Sequence, residues 1–277
     1  MKLTEGFIWR YNNYLKPHFL LDKNLVFMLK RVLKNFLLKN QDNKYCYIYA
    51  DSTNIGDYCS SLGIKYLIGE DGINLYASNA SIKETSKYLK FFKKNNGKKV
   101  KIIIGGGGLL QGCFESFWLE MLKSNLSFSL YGVGANRMHP DRSILCQNYI
   151  DQIGDCAARI HVRDDTTYEL FKEEHMHKLS VGICPSVNYI VNYIKKYPKF
   201  EEKYLLNVTH PVDIKMSGGD PMYIRKILMQ VADALKLKYD ETDHINENLS
   251  NLMKRYLRAK FILSSRQIGR ASCRERV

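Results

Sequence analysis

Residues 100–110 read VKIIIGGGGLL, and this stretch decides the fold. A continuous apolar run that ends in glycines is typical of a buried parallel strand followed by a tight turn. The apolar spacing of LLQGCFESFWLEMLK then predicts a helix that begins directly after the turn. Gly105, Gly106, Gly107 and Gly108 have no Cβ, so their amides can approach a ligand closely, and the amides of a helix N-terminus favour an anion. The turn therefore predicts either an anion site or close packing of strand and helix.

The glycine run does not match the common nucleotide motifs. No Lys-Ser or Lys-Thr pair follows the glycines, which excludes a P-loop. Gly-x-Gly-x-x-Gly is not cleanly present, which argues against a dinucleotide site. A phosphate or carboxylate group remains the kind of ligand that the turn would suit.

Composition places the chain among soluble globular proteins. Its 277 residues suffice for one large or two modest α/β domains, and 45% apolar and 25% charged residues are ordinary. No apolar run is long enough to span a bilayer, and no secretory signal is visible. The seven cysteines are scattered without paired spacing, so we expect free thiols and a cytoplasmic location. Cys46, Cys113 and Cys146 are expected to be small buried side chains.

The formal charge of +14 suggests an anionic partner. Lys93-Lys94 and Lys98-Lys99 are assigned to loops. Nucleic acid, an anionic membrane surface and anionic small substrates would all fit, but no nucleic-acid-binding signature accompanies the charge, so we expect no nucleic-acid partner. Residues 20–40 predict an amphipathic helix with a basic face, which could cap the domain, contact a partner or lie on the inner face of a membrane. The structural role is the preferred interpretation.

Strand and helix patterns alternate along the chain, which predicts a parallel sheet with helices on both faces. The predicted strands are 45–50, 100–104, 128–133, 158–162, 179–184, 204–208 and 261–263. The predicted helices include 82–92, 142–153, one from Asp165 or Thr166 onward, 221–237 and 247–258. A charged stretch at 193–203 with Pro198 predicts a hinge. The predicted units are a basic helical extension at 1–44, a Rossmann-like domain at 45–195 and an incomplete second one at 196–267.

Residues 268–277, IGRASCRERV, depart abruptly from the composition before them. They resemble a sequencing adapter translated in one frame, so we expect a non-native tail. The native chain would then continue differently after Arg266 or Gln267, and the second domain would be truncated. Without the tail, which holds three arginines and one glutamate, the charge falls from +14 to +12.

Six short motifs occur in order, each after an expected strand. They are Asn54-Ile-Gly-Asp57, Gly105-Gly-Gly-Gly-Leu-Leu110, Gly132-Val-Gly134, Val162-Arg-Asp164, Cys184-Pro185 and Ser264-Ser-Arg266. This ordered set resembles the polysaccharide pyruvyl transferase family over about residues 45–266. The resemblance implies two Rossmann-like domains that face each other across a cleft in a GT-B-like arrangement.

The resemblance also implies an activity. Members transfer the pyruvyl group of phosphoenolpyruvate onto two hydroxyls of a sugar, giving a cyclic ketal and inorganic phosphate. We therefore expect phosphoenolpyruvate as the donor substrate, a glycan or lipid-linked sugar as the acceptor, and neither a cofactor nor a metal. A lipid-linked acceptor would fit peripheral contact with the membrane.

Site residues are carried over from the matching motifs. Arg163 and Arg266 would hold phosphoenolpyruvate, one from each domain. The other substrate-binding residues would be Asn54, Gly56, Asp57, Gly105, Gly106, Gly107, Gly108 and Gly134. Two purely structural alternatives stay open. Arg163 could form an ion pair with a neighbouring aspartate, and Asp57 or Ser52 could cap a helix.

The catalytic histidine implied by the resemblance is missing. The family pattern continues Ser-x-Arg-Leu-His, whereas this chain reads Arg266-Gln-Ile268 where the tail begins. The fragment is therefore expected to lack turnover, and its catalytic residue is unknown. His210 is interpreted as a loop residue, and His175 and His177, two residues apart, would not share a helix face as a metal pair.

Two other functions remain open at this point. One is a nucleotide-sugar glycosyltransferase of similar architecture. The other is a non-enzymatic, basic, membrane-associated scaffold that uses the helix at 20–40.

Overall fold

The computed structural model describes residues 29, 33, 35, 45–50, 54–95, 100–135, 143–197, 204–208, 211–216, 218–242 and 248–264. Two sheets organise this part of the chain. Pro198, His210, Arg266 and the predicted tail at 268–277 lie outside the described residues, as does most of the extension at 1–44.

The first sheet has six strands in the order β2-β1-β3-β4-β5-β6, and every neighbouring pair is parallel. The strands are β1 (Tyr45–Tyr49), β2 (Gly72–Tyr76), β3 (Lys101–Gly105), β4 (Phe128–Val133), β5 (Ala157–Val162) and β6 (Leu179–Val181). This confirms the predicted parallel α/β sheet.

Helices cover both faces of this sheet. They are α1 (Ile55–Ile68), α2 (Ile82–Lys94), α3 (Glu115–Ser124), α4 (Gln147–Cys156), α5 (Asp165–Tyr168) and α6 (Ser186–Lys196), with 3-10 turns at Gly112–Phe114 and Glu173–Lys178. The main core lies between the sheet and α2, α3 and α4, where Ile104, Leu89, Trp118 and Ile153 are buried. Burial of this apolar surface is the main force that holds these layers together.

The opposite face is covered by α1 and α6, which pack directly against each other. Gly63 of α1 lies against the Pro185 carbonyl, and the Pro185 ring lies against Gly132 of β4. Gly132 has a φ of +67°, a conformation that glycine adopts without strain. Glycines at these positions let the start of α6 fit between α1 and the sheet.

The second sheet has three parallel strands in the order β8-β7-β9 within the described residues. Its elements are β7 (Tyr204–Val208), α7 (Pro211–Met216), α8 (Pro221–Ala234), β8 (Lys238–Thr242), α9 (Leu249–Arg258) and β9 (Phe261–Ser264). Helix α8 buries Ala232 but leaves several apolar side chains exposed, namely Met222, Tyr223, Ile227, Met229 and Val231.

The sheets are joined through α9. Leu252 and Leu249 of this helix pack against Ile55 and Cys59 at the start of α1, together with Tyr189 of α6. Because α1 follows β1, this contact lies near the carboxyl end of the first sheet.

Several predicted element boundaries were wrong. The helix predicted at 142–153 begins at Gln147 and ends at Cys156, and the strand predicted at 179–184 ends at Val181. Strands β2 and β8 and helix α6 were not predicted. The stretch predicted as a hinge begins inside α6, because residues 193–196 are helical.

Two smaller predictions also need correction. Lys93 and Lys94 belong to the last turn of α2 rather than to a loop. Cys46 is buried as predicted, but Cys113, in the 3-10 turn before α3, and Cys146, at the N-cap of α4, are exposed.

The predicted helix at 20–40 is described at Leu29, Leu33 and Asn35, which are helical. The Asn35 amide is buried; its Nδ2 donates to the Asn74 carbonyl of β2 (2.8 Å), and its Oδ1 accepts from the Asn74 amide (3.0 Å). Because β2 is an edge strand, these bonds satisfy backbone groups that would otherwise be open. At this residue the segment contacts the sheet, which supports the capping interpretation.

Within the described residues, no helix combines the length and apolar character needed to cross a bilayer.

Candidate functional site

The strand order places two loops of the first sheet at a switch point. From β1 the chain moves to β2 on one side and then to β3 on the other. Ligands of open α/β sheets bind outside the carboxyl ends of the strands at such a point. Asn54-Ile-Gly-Asp57 follows β1 here and the glycine run follows β3.

The glycine run forms a turn that only glycine adopts easily. Gly106 and Gly107 have φ values of +79° and +102°. The Gly106 carbonyl accepts from the Ala50 amide (3.4 Å), and the Gly107 carbonyl accepts from the Gly134 amide (3.1 Å). The turn thus connects the ends of β1, β3 and β4.

The amides of Gly107, Gly108 and Leu109 make no hydrogen bond to the described part of the chain. The prediction that a helix begins directly after the glycines was wrong, because α3 begins at Glu115. Leu110 instead accepts from the Leu145 amide (3.1 Å), which draws the chain away from the helical path. An anion here would therefore meet consecutive turn amides, which form anion-binding concavities, rather than a helix N-terminus.

Trp118 of α3 fixes the end of the turn. Its side chain is fully buried, and its indole Nε1 donates to the Leu109 carbonyl at 2.7 Å. The core of the domain thereby holds the turn in place.

Asp57 lies beside the turn, and Asn54 caps α1. Asn54 Oδ1 accepts from the Gly56 amide at 2.9 Å, so Asn54 rather than Asp57 is the capping residue. Asp57 is buried in the first turn of α1, where the helix dipole favours a carboxylate. A Cβ added to Gly107 would lie 2.7 Å from Asp57 Oδ1, so the carboxylate touches the turn.

Arg163 follows β5 and lies on Gly134. A Cβ added to Gly134 would lie 2.3 Å from Arg163 Nε, and the Arg163 side chain is 12% exposed. The ion pair with a neighbouring aspartate is present at long range, with 3.7 Å between Arg163 Nε and Asp164 Oδ2. Asp164 is instead engaged as the cap of α5, where its Oδ1 accepts from the Thr167 amide (2.7 Å) and hydroxyl (2.6 Å).

The structure brings together part of the predicted set. Asp57, Gly107, Gly134 and Arg163 form a continuous group, which we call the switch-point site. Gly105 has a packing role, because a Cβ there would lie 2.1 Å from the Tyr131 carbonyl oxygen. Of the other predicted residues, Asn54 and Gly56 form the cap, Gly106 and Gly108 complete the turn, and Arg266 lies outside the described residues.

Thr167 was not identified from the sequence; it is a buried residue whose hydroxyl group holds the loop of Arg163 in place. Its hydroxyl accepts from the Ala135 amide at 3.0 Å and donates to Asp164, so it links the end of β4 to the Arg163 loop. An aspartate followed three residues later by threonine at a helix start was the available signal, because it indicates capping.

The polysaccharide pyruvyl transferase family model matches residues 54–266, more than half of the chain. The chain belongs to this family. The matched range contains every motif on which the resemblance rested. No curated protein and no solved structure gives a match. Membership in the pyruvyl transferase family indicates a transferase of polysaccharide biosynthesis that acts on a glycan acceptor.

One histidine of this family member lies close to Arg163 in sequence. His161 of β5 stacks on Tyr131 at a ring distance of 4.5 Å, and a Cβ added to Gly182 would lie 2.5 Å from its Nε2. Burial lowers the pKa of His161. With Tyr131 on one ring face and Gly182 against Nε2, the ring has a structural role in the sheet.

A second histidine belongs to an ion-pair network. Among the described residues, Asp155, Glu174 and His175 bring potential metal-ligating atoms within 4.8 Å of one another. His175 Nε2 lies 3.0 Å from Asp155 Oδ1, and Lys172 Nζ lies 3.9 Å from Glu174 Oε1. Lys178 Nζ also donates to the Asp155 carbonyl (3.2 Å). Because these ammonium groups repel a cation, we assign no metal to this group. His177 is exposed on the same 3-10 turn and contacts the Glu174 carbonyl (2.8 Å).

Proposed function

We propose that this pyruvyl transferase takes its pyruvyl group from phosphoenolpyruvate and places it on two hydroxyls of a sugar in a glycan or lipid-linked glycan precursor. The observation that carries the proposal is the position of Arg163, whose guanidinium lies on Gly134 beside the turn amides at the switch point. Guanidinium and consecutive amides together suit an anion with several oxygens.

The donor carries a phosphate and a carboxylate close together. A guanidinium binds either group through two parallel hydrogen bonds, which a lysine cannot do. In the proposal Arg163 binds one anionic group, the amides of Gly107 and Gly108 bind the other, and Arg266 completes the site from the second sheet. The two sheets would then face each other in a GT-B-like arrangement with the donor between them.

The reaction needs a proton donor and two hydroxyls. A general acid protonates the methylene carbon of phosphoenolpyruvate, which gives an oxocarbenium-like centre at C2. One sugar hydroxyl adds to C2 and loses its proton. Phosphate then leaves, and the second hydroxyl adds and loses its proton, which gives the cyclic ketal and inorganic phosphate.

Asp57 suits the acceptor better than the donor. A carboxylate accepts hydrogen bonds from hydroxyl groups, whereas it repels phosphate and carboxylate. Its contact with Gly107 places it on the β1 side of the turn, while Arg163 lies on the β5 side. We propose that the acceptor hydroxyls enter from the Asp57 side.

The proposal includes truncation of the second domain. The family pattern carries a histidine after the final arginine, and this chain has Gln267-Ile268 there. The exposed apolar side chains of α8 are consistent with a helix whose covering elements are missing. Sequencing the genomic locus past the codon for Arg266 is expected to show codons for leucine and histidine. A locus that encodes Gln267-Ile268 would contradict truncation.

Donor binding is the first test. Calorimetry with the intact chain is expected to show saturable binding of phosphoenolpyruvate, weaker binding of pyruvate or phosphate alone, and no catalytic turnover. Each fragment of the donor keeps only one anionic group, so it loses part of the contacts. Preferential binding of a nucleotide sugar would contradict the proposal and favour a glycosyltransferase.

Gly134→Ala is expected to weaken phosphoenolpyruvate binding roughly tenfold, because the new methyl displaces the guanidinium that it would contact. The Arg163 side chain can move, so the melting temperature should change little. Gly112→Ala is the matched control, since its Cβ would lie 2.9 Å from the Ser143 hydroxyl and not near Arg163. Equal donor affinity in the two variants would show that the guanidinium does not bind the donor.

A further inference from the structure

Helix α2 carries a row of lysines on its outer face. Lys83, Lys87, Lys90 and Lys94 are all exposed and follow one another at spacings of four, three and four residues. At 3.6 residues per turn they fall within about 60° of arc and extend over about 16 Å. The opposite side of α2 buries Thr85, Leu89 and Phe92 against the sheet. We call these four residues the lysine row.

Helix α2 carries a single acidic residue, Glu84 in its first turn, against the four lysines of the row. None of the four ammonium groups makes an ion pair with the described part of the chain. Like charges three and four residues apart destabilise a helix, so the row opposes the stability of α2. Surface helices usually mix positively and negatively charged side chains. A row of four lysines is therefore better explained by a binding partner than by the stability of the fold.

Charge is segregated among the helices on this face of the sheet. Helix α4 carries Asp151 and Asp155 and no lysine or arginine, and α3 carries Glu115, Glu120 and Lys123. The basic residues are concentrated on α2, beside the edge strand β2. The face is therefore polarised, with a positive side at the sheet edge.

We propose that the lysine row binds the surface of an anionic phospholipid bilayer. Basic residues aligned on a helix attract anionic headgroups, and clusters of four or more are typical of such binding. Single-stranded nucleic acid is a poorer match, because it is bound with aromatic side chains that stack on bases, and no aromatic side chain of α2 is exposed.

The orientation of α2 connects this surface to the switch-point site. Helix α2 follows β2 and leads into β3, and these strands are parallel members of one sheet. Lys83 therefore lies toward the carboxyl end of the sheet and Lys94 toward the opposite end. A bilayer that contacts the lysine row would therefore extend toward the carboxyl end of the sheet, where the switch-point site lies. The surface differs from the helix predicted at 20–40, and it does not depend on the proposed reaction.

Vesicle sedimentation with the full chain tests the proposal. The wild type is expected to bind vesicles of phosphatidylglycerol and phosphatidylcholine in equal parts, but not pure phosphatidylcholine, and to be released at about 1 M salt. A variant with Lys83, Lys87, Lys90 and Lys94 changed to glutamine is expected to bind on the order of several hundredfold more weakly, since each of the four lysines contributes roughly a fivefold factor.

A matched control removes the same charge elsewhere. It changes Lys215, Lys226, Lys238 and Lys254 to glutamine, four exposed lysines of the second sheet and its helices. The control should keep most of the wild-type affinity. A difference of less than about fivefold between the two variants, roughly the effect of a single lysine, overturns the proposal. So does tighter binding of single-stranded RNA than of anionic vesicles through the same lysines. Circular dichroism verifies that both variants are folded.

Discussion

Arg163→Ala is expected to weaken phosphoenolpyruvate binding by roughly a hundredfold, because it removes two charge-assisted hydrogen bonds at the switch point. The fold should survive, since Arg163 follows the end of β5 and is not a member of the apolar core of the first sheet. Calorimetry measures the affinity, and thermal denaturation measures the stability. Arg163→Lys keeps the charge but loses the planar fork, so its affinity should lie between those of the wild type and the alanine variant.

Arg159→Ala provides the matched control for this experiment. Arg159 lies within β5, four residues before Arg163, and it is exposed, whereas Arg163 follows the carboxyl end of the strand. It tests whether removing any arginine near this end of the chain segment lowers affinity through net charge alone. If Arg159→Ala and Arg163→Ala lose the same affinity, binding is nonspecific and the proposed donor site is wrong.

Gly63→Ala is expected to destabilise the fold by about 3 kcal/mol or more, which lowers the melting temperature by roughly 6 °C or more. A Cβ at this position would lie 1.8 Å from the Pro185 carbonyl oxygen. That atom is backbone at the start of α6, and the Pro185 ring is itself held against Gly132. Neither helix can move without opening the contact between α1, α6 and the sheet.

Gly69→Ala separates this clash from ordinary backbone strain. Gly69 ends α1 with a φ of +75°, and a Cβ there meets nothing within 4 Å. Its substitution should therefore cost only about 1–2 kcal/mol, the strain of a left-handed residue. Should Gly63→Ala prove no more destabilising than Gly69→Ala, the tight contact between α1 and α6 would not contribute to stability.

The sequence predicted the parallel sheet because its central strands are long apolar runs. Strands β1, β3, β4 and β7 bury most of their residues, and such runs are visible without tertiary information. Strand β8 reads KYDET and was missed, because contacts with distant residues hold it in place. The Arg255 guanidinium binds Asp240, and the Asn207 amide donates to the Tyr239 hydroxyl (2.9 Å).

The path after the glycine turn could not be predicted from periodicity. The residues from Leu109 onward have helical spacing, but their backbone bonds go to distant partners. The Leu110 amide donates to the Gly134 carbonyl (3.3 Å), and Gln111 pairs with Ile144. These bonds link segments more than twenty residues apart, so they cannot be predicted from the local spacing of apolar residues.

The candidate site was predictable in its residue types and only partly in their roles. Glycines and an arginine after parallel strands indicated an anion site, and the strand order brings Gly107, Gly134 and Arg163 together. The sequence did not show that Asn54 would supply the cap and leave Asp57 against the turn. Such assignments depend on the exact path of a loop, which residue types alone do not determine.

The hydrogen bond from Trp118 to Leu109 couples the fluorescence of this tryptophan to the conformation of the glycine turn. The chain has two tryptophans, and the indole of this one is fully buried with its N–H directed at the end of the glycine turn. Any ligand that reshapes the turn must alter the polarity around that ring. The intrinsic fluorescence of the unlabelled protein can therefore follow occupancy of the switch-point site in real time, with no chromophore added.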